Sequence, residues 1–178
     1  MTDDNYEDLT ECALSEELEE QLVYTNRECV FMWTNKAGEA FGVVMAYLPK
    51  DGKIWMTAAE RRARISAIRR FPRASVCINS TGTPMGGGKT VTYKGSCKVH
   101  DDRATKDWFY PEFAAYLRPE ENQARIFQNF LDSPSRVVVE FTPDYKLSYD
   151  GELMWARSPE LVRKEGERAS RTSAQKNG

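Results

Sequence analysis

The stretch Trp55–Pro72, WMTAAERRARISAIRRFP, predicts a strand that runs directly into a helix, and the fold is organised around this unit. The strand is expected to end at Thr57, and the helix is expected over residues 59–71. Pro72 would end the helix, because proline disfavours helical geometry in the residue that precedes it. A strand that feeds a helix in this way brings the start of the helix to one end of a sheet.

Three arginines, Arg61, Arg62 and Arg64, fall in the first turns of that predicted helix. The first backbone N–H groups of a helix have no partner within the helix, and the helix dipole adds partial positive charge there. Arginine adds a full charge and forked hydrogen-bond donors, so the pattern predicts a phosphate site. The alternative interpretation is a solvated basic helix face.

The remaining pattern favours a meander of short strands that closes into a barrel. Tight turns are predicted at Gly38 and at Asp51-Gly52, and the nearly continuous apolar run of residues 40–48 predicts a strand covered on both faces. The predicted strands are residues 27–34, 40–48, 53–57, 73–79, 89–100 and 136–142, with residues 146–149 pairing beside the last of them. The other predicted helices are residues 16–25, two segments between 101 and 132, and a basic helix from Ser158.

Composition is that of an ordinary globular domain, with 178 residues and a net charge of −2. This balance gives no overall attraction to nucleic acid or to an anionic membrane, although the first 20 residues carry nine acids and no Lys or Arg. No apolar run approaches the roughly 20 residues of a membrane span, and no export signal is visible, so we expect a cytoplasmic protein with reduced cysteines. We predict an acidic tail over 1–13, one domain over 14–157, and a basic helix and tail over 158–178.

Two motifs give no catalytic site by themselves. The GGGKT segment of residues 86–90 lacks the spacing of a phosphate-binding loop, because Thr83 stands where a glycine is required and a strand follows. His100 is the only histidine, so it cannot build a typical zinc site or an arguable catalytic triad. We interpret it as a structural or surface residue, with a single axial haem ligand as the remaining alternative, and we predict no metal site.

The order of features resembles the pyridoxamine 5′-phosphate oxidase-like split β-barrel proteins, including the flavin/deazaflavin-dependent oxidoreductases, over about residues 27–150. The resemblance rests on Thr57, Arg61, Arg62, Arg64, Ile68, Pro72, Arg73 and SVCI, on Gly38 with Val43–Met45, and on the later segments VTYKGSCKV and FTPDYKLSYDGELM. The sequence departs from the family at Ala40 and Phe41, where Pro and His are common, and at Arg64, where Lys is usual. Thr90 replaces the glutamine of the classical oxidases, which argues against oxidation of vitamin B6.

The resemblance implies a mainly β split barrel with flanking helices, and a homodimer with two cofactor sites at its interface. It implies FMN as cofactor, with the deazaflavin coenzyme F-420 as the alternative and haem as a weaker one. By the same resemblance, Val43 and Val44 would pack on the flavin ring, and Met56 and Thr57 would contact the flavin. The phosphate of the cofactor would be held by Arg61, Arg62 and Arg64. Thr90 would lie near the ring or ribityl chain.

The expected function is hydride transfer between the cofactor and a small organic substrate, which needs no side-chain nucleophile. Residues 80–89 and 103–131 are the expected walls of the substrate site. A non-catalytic flavin, haem or tetrapyrrole-binding protein of the same fold remains the alternative, because a fold does not fix a function. Nucleic-acid binding by the arginine helix is the weakest reading, since the chain is acidic overall.

Overall fold

The computed structural model describes residues 9–157, together with residues 164 and 166. Within this part of the chain, one antiparallel sheet is flanked by helices. The strands are β1 Glu28–Thr34, β2 Ala40–Ala46, β3 Leu48–Lys50, β4 Lys53–Ala59, β5 Arg73–Asn79, β6 Lys89–His100 and β7 Arg136–Asp150. The helices are α1 Glu16–Thr25, α2 Ala63–Arg70, α3 Arg103–Leu117, α4 Glu121–Leu131 and α5 Gly151–Arg157, and a 3-10 turn spans Leu9–Cys12.

The sheet closes on itself through one short run of chain. Its strand order is β2-β1-β5-β6-β7-β4-β3, so β2 and β3 lie at opposite edges, yet Tyr47 alone separates them in sequence. In the β3–β4 ladder, Lys50 is opposite Lys53 and Leu48 is opposite Trp55. The residues that precede Leu48 and Tyr47 in the chain belong to β2, and they pair with β1 and not with β4. The run of residues 40–50 therefore closes a barrel and leaves a split between β2 and β4.

The barrel interior is a single apolar core to which every second residue of the strands contributes. From α2, Ile65, Ala67 and Ile68 pack into this core, and Leu22 of α1 packs into it as well. A second apolar cluster lies outside the barrel, where α3 and α4 cover β4 and the first half of β7. Its members include Leu48, Trp55, Phe109, Tyr110, Phe113, Leu117, Leu131 and Val138.

Among the described residues, the helices leave most of the outer surface of β1, β2, β5 and β6 uncovered. One row of cross-strand partners there runs from Val44 through Val30, Cys77 and Thr92 to Leu147. Val44 is 64% exposed and Leu147 is 65% exposed. The expectation that residues 40–48 are covered on both faces is therefore wrong for the single chain, because β2 is an edge strand whose outward residues Ala40, Gly42 and Val44 are exposed, although Ala46 at its end packs against the cluster beneath α3. We call this surface the open sheet face.

The arginine-bearing helix is shorter than expected. Strand β4 continues to Ala59, a turn occupies residues 60–62, and α2 begins only at Ala63. The ladder explains the difference, because Thr57, Ala58 and Ala59 remain paired with β7. The two segments predicted over 136–142 and 146–149 form one strand, β7, which bends at a register shift beside Gly95. A glycine inside a strand is typical of such a bend.

The chain ends differ from the expected boundaries in one respect. Cys12 is fully buried and Leu14 is 8% exposed, so the packed region begins slightly before residue 14. The helix expected from Ser158 lies mostly outside the described residues, and the helix over Gly151–Arg157 was not predicted. None of the described helices combines the length and the apolar character needed to cross a bilayer.

Candidate functional site

The arginines named from the sequence meet at the end of β4 that borders the split. Arg61 and Arg62 are exposed in the turn between β4 and α2, and Arg62 is the N-cap residue of the helix. Arg64 lies in the first turn of α2 and is half-buried. A hydrogen bond connects the turn to the segment before β7, because the Glu60 backbone N–H donates to the Ser135 carbonyl at 2.7 Å. The structure therefore brings all three arginines to one short segment.

Arg64 has an unmet hydrogen-bonding group. Its Nε atom is buried and has no partner among the described residues. Burial lowers the pKa of the Arg64 guanidinium, and the positive charges of Arg62 and Arg136 lower it further. A half-buried guanidinium among other guanidinium groups is unfavourable unless an anion compensates it, because removing charge from water is costly.

The nearest acid is already engaged elsewhere. Glu60 accepts a hydrogen bond from Arg69 at 2.9 Å, and no ion pair with Arg61, Arg62 or Arg64 occurs in the described region. No side chain caps the N-terminus of α2, so the first N–H groups of this eight-residue helix are not satisfied by a capping side chain. The positive charge of the arginines and the backbone N–H donors at the start of α2 together favour binding of an anionic group.

The two valines predicted to pack on a flavin ring point in opposite directions, because neighbours on a strand alternate between faces. Val43 is partly buried against the barrel core, whereas Val44 projects from the open sheet face. Extending the β3–β4 register past Leu48 would set Val44 opposite Ala59, although the two strands no longer pair there. Val44 and the arginine turn consequently border the same split.

The side chains of Met56 and Thr57 expose little area at a surface. Met56 is fully buried in the barrel core, where its sulfur lies 3.9 Å from Cys29 Sγ. The Thr57 hydroxyl donates to the Val137 carbonyl at 2.8 Å on the side covered by α3. The structure thus does not bring the Met56 side chain to the split, and a flavin contact at these residues stays a prediction.

Thr90 is not adjacent to the arginines within one chain. Thr90 lies near the start of β6. The arginine turn adjoins the other end of this strand, because His100 at that end is paired with Val138, which is two residues from Arg136. The two ends of this strand are on the order of 30 Å apart. Thr90 does share the open sheet face with Val44, since its neighbour two residues on, Thr92, stands in the Val44 row.

His100 is enclosed by its own neighbours. Its Nε2 atom is 2.8 Å from Glu140 Oε2, its Nδ1 atom is 3.4 Å from Thr105 Oγ1, and its ring packs 5.7 Å from that of Trp55. Both ring nitrogens are therefore engaged, which supports a structural role and leaves no free nitrogen for a haem iron. Among the described residues, no cluster of three or more His, Cys, Asp or Glu could hold a metal ion.

Comparison with solved structures identifies the architecture. A conserved hypothetical protein of Mycobacterium tuberculosis superposes with a TM-score of 0.69 at 16% identity, over 82% of this chain and 90% of that one. A putative pyridoxamine 5′-phosphate oxidase from Listeria innocua superposes with a TM-score of 0.54 at 17% identity, over 75% of this chain and 96% of that one. The chain has the pyridoxamine 5′-phosphate oxidase-like split β-barrel fold.

A protein described as an F420 reductase shares this split β-barrel, with a TM-score of 0.55 at 13% identity, over 72% of this chain and 94% of that one. Identities this low establish the fold alone. No protein-family profile matches the chain, and no curated protein matches it either. Any function of this split β-barrel must therefore be argued from its own residues.

One member of the site, Arg136, was not predicted from the sequence. This residue begins β7 and stands directly opposite Ala59 in the β4–β7 ladder. Its guanidinium lies 5.6 Å from the centre of the Phe130 ring, and the described residues offer it no carboxylate partner. Nothing in the sequence relates Arg136 to Arg61, because they are 75 residues apart (136 − 61) and only the strand pairing brings them together.

Proposed function

We propose that this protein is an oxidoreductase that transfers hydride between a bound flavin or deazaflavin and a small organic substrate. FMN is the first candidate cofactor and coenzyme F-420 is the second. The observation that carries the proposal is the group of Arg61, Arg62 and Arg64, which have no acidic partner in the described chain and include the unpartnered Arg64 Nε. Solved proteins of the same fold that are described as an F420 reductase and a putative pyridoxamine 5′-phosphate oxidase support the cofactor class.

The residues present fit the phosphate group of such a cofactor. Arg62 and Arg64 would hold it at the N-terminus of α2, and Arg61 would stand beside them in the turn. Charge-assisted hydrogen bonds of this kind are shorter and stronger than neutral ones. The anion would also offset the burial, and the repulsion from Arg62 and Arg136, that together lower the pKa of Arg64. Binding at this place therefore satisfies groups that the isolated chain leaves unsatisfied.

We further propose that two chains associate through the open sheet face, with the cofactor at their interface. Val44 and Leu147 are each more than 60% exposed on this face. Exposed apolar area of this kind commonly marks an interaction surface. A homodimer would also explain why Thr90 is remote from the arginines, because each site could then combine the arginines of one protomer with the partner's Thr90.

The bound cofactor would supply the hydride donor or acceptor, which no side chain of this chain provides. The protein itself would fix the phosphate through Arg62 and Arg64, offer the Val44 side chain to the planar ring, and exclude water through the second protomer. Such positioning is the usual contribution of a protein to cofactor chemistry. The substrate would enter above the ring, between the loop of residues 80–88 and the partner surface.

The first test is the visible absorption spectrum of protein purified from a host that makes both coenzymes. A two-banded spectrum would identify a flavin, whose mass after release would show whether it is FMN, and a single band would identify the deazaflavin. Bleaching of the band on addition of substrate would establish turnover, whereas a stable band with every candidate reductant would indicate a non-catalytic cofactor carrier.

The second test removes the proposed phosphate contacts. Each charge-assisted contact is worth about 1.5–3 kcal/mol, so Arg62→Ala combined with Arg64→Ala should weaken FMN binding at least about a hundredfold. Arg125→Ala is the control, because Arg125 is an exposed arginine on α4 that bonds only Asn122. Unchanged FMN affinity in a folded double variant would refute the proposed phosphate site.

A further inference from the structure

A cavity adjoins the arginine turn, and no residue of α2 is among its lining residues. It has a volume of about 610 Å³ and lies between the end of β4 and the loop that connects α4 to β7. Its lining consists of Ala59, Glu60, Arg61, Ser133, Pro134 and Ser135. Arg61 and the two serines offer hydrogen-bond donors to whatever occupies this space. The cavity is therefore separate from the helix N-terminus but shares the turn of residues 60–62 with it.

Arg136 stands at the edge of this cavity. It is not one of the lining residues, but it follows Ser135 in sequence and faces Ala59 across the ladder, and both of these residues line the cavity. Its guanidinium lies over the Phe130 ring, and Phe130 is itself 67% exposed. Burial is the main cause of the lowered pKa of the Arg64 guanidinium, and the charges of Arg62 and Arg136 lower it further. One positive surface therefore extends from α2 to β7.

The acids near this surface are already neutralised. Glu60 is paired with Arg69 at 2.9 Å, and Asp132, which precedes Ser133, is paired with Arg103 at 2.7 Å. The four arginines 61, 62, 64 and 136 consequently have no acidic partner in the part of the chain that the structure describes. A single phosphate at the start of α2 would neutralise at most two of these charges. The charge on β7 remains to be compensated.

We infer that the occupant of this site carries two anionic groups, and that Arg136 and Arg61 hold the second one in the cavity beside Ser133 and Ser135. The inference rests on the proposed function for the first group, the phosphate held by Arg62 and Arg64. Two phosphates, or a phosphate and a carboxylate, joined through a short linker are the ligand chemistry that fits. The second group belongs either to an extended cofactor or to an anionic substrate bound beside it.

The test compares inorganic phosphate with tripolyphosphate by calorimetry at about 0.15 M salt, where non-specific attraction is largely screened. We expect one tripolyphosphate per chain, bound at least about tenfold more tightly than phosphate, since each added charge-assisted contact is worth about a factor of ten or more. Arg136→Gln should weaken tripolyphosphate binding about tenfold and change phosphate binding less than twofold. Arg125→Gln is the control and should change neither.

Equal losses for both probes, or no loss for either, in folded Arg136→Gln protein would overturn the inference, as would two bound phosphates with no preference for tripolyphosphate. These probes report on the second group whether or not a flavin binds, so failure of the proposed function is recognised separately by the absence of FMN binding. Weaker binding of coenzyme F-420 than of FMN in Arg136→Gln would assign the second group to the cofactor. Wild-type affinity for both cofactors, with weakened tripolyphosphate binding, would assign it to the substrate.

Discussion

Gly95 on β6 lies so close to Thr142 on β7 that a Cβ atom at position 95 would be 2.2 Å from the Thr142 carbonyl oxygen. The Phe141 ring would be 2.8 Å away from the same atom. The register of the two strands shifts at this point, and the sheet bends there. Gly95 therefore permits the bend that closes the barrel.

Gly95→Ala should destabilise the protein by about 3 kcal/mol or more, because backbone rather than a flexible side chain must move. Chemical denaturation measures this change. Gly87→Ala is the matched control, since nothing lies within 4 Å of a Cβ at that position, and it should fall within about 0.5 kcal/mol of wild type. Equal stability of the two variants would contradict this account of the bend.

Val44→Glu should convert the proposed homodimer into a monomer. A carboxylate in the centre of an apolar interface would have to be desolvated without a partner. Sedimentation at micromolar concentration gives the molecular mass directly. Ile126→Glu serves as control, because Ile126 is similarly exposed, at 56%, but lies on α4 away from the open sheet face. A monomeric wild-type protein would disprove the proposed dimer.

Thiol labelling offers an independent test of the same interface. Burial raises the pKa of Cys29 and of Cys97 to about 12, so neither forms the reactive thiolate readily. Cys12 is also buried, whereas Cys77 is partly exposed in the row of Val44. We expect a single fast-reacting thiol that Cys77→Ser removes, and we expect it to react faster in Val44→Glu than in wild type. Equal rates would mean that this row is not covered in solution.

Glu140 should contribute to stability above acidic pH. Burial acts to raise the pKa of this carboxyl group, but hydrogen bonds from Lys53 at 2.5 Å and from His100 at 2.8 Å outweigh it and hold the pKa below its ordinary value. A carboxyl group with a lowered pKa in the folded state stabilises the fold above its unfolded pKa, and this contribution is lost as the pH falls through the folded pKa.

Glu140→Gln should therefore lower the free energy of unfolding by about 1–3 kcal/mol at pH 7, and the difference from wild type should shrink below about pH 4. Denaturation series at several pH values provide the measurement. Glu112→Gln removes an exposed ion pair with Lys50 and should cost less than about 1 kcal/mol. A difference for Glu140→Gln that persists unchanged in acid would contradict the role given to its charge.

Local sequence patterns predicted most of the strands, because alternation and turn residues depend on neighbours in the chain. Strand β6, with its regular alternation and Gly95, was predicted with its observed bounds. The start of α2 was predicted too early, since the pairing of Ala58 and Ala59 with β7 extends β4 beyond the point where propensity alone would end it. Tertiary pairing overrode local preference there.

The candidate site was predicted in part. Arg61, Arg62 and Arg64 are close in sequence, so their common position could be inferred directly. Arg136 could not, because its place depends on a ladder between residues far apart in the chain. The opposite directions of Val43 and Val44 follow from strand alternation, but an apolar run does not reveal which face is left open. That choice depends on where α3 and α4 pack.

Tyr47, which joins β2 to β3, gives the split a fixed width. Its side chain is fully buried, and its hydroxyl donates to the Val23 carbonyl of α1 at 2.7 Å. Displacing the junction between β2 and β3 would therefore require this bond to break and the ring to leave the core. We expect ligand-free and ligand-loaded protein to have the same backbone here, so that affinity is set by charge and shape already present before binding.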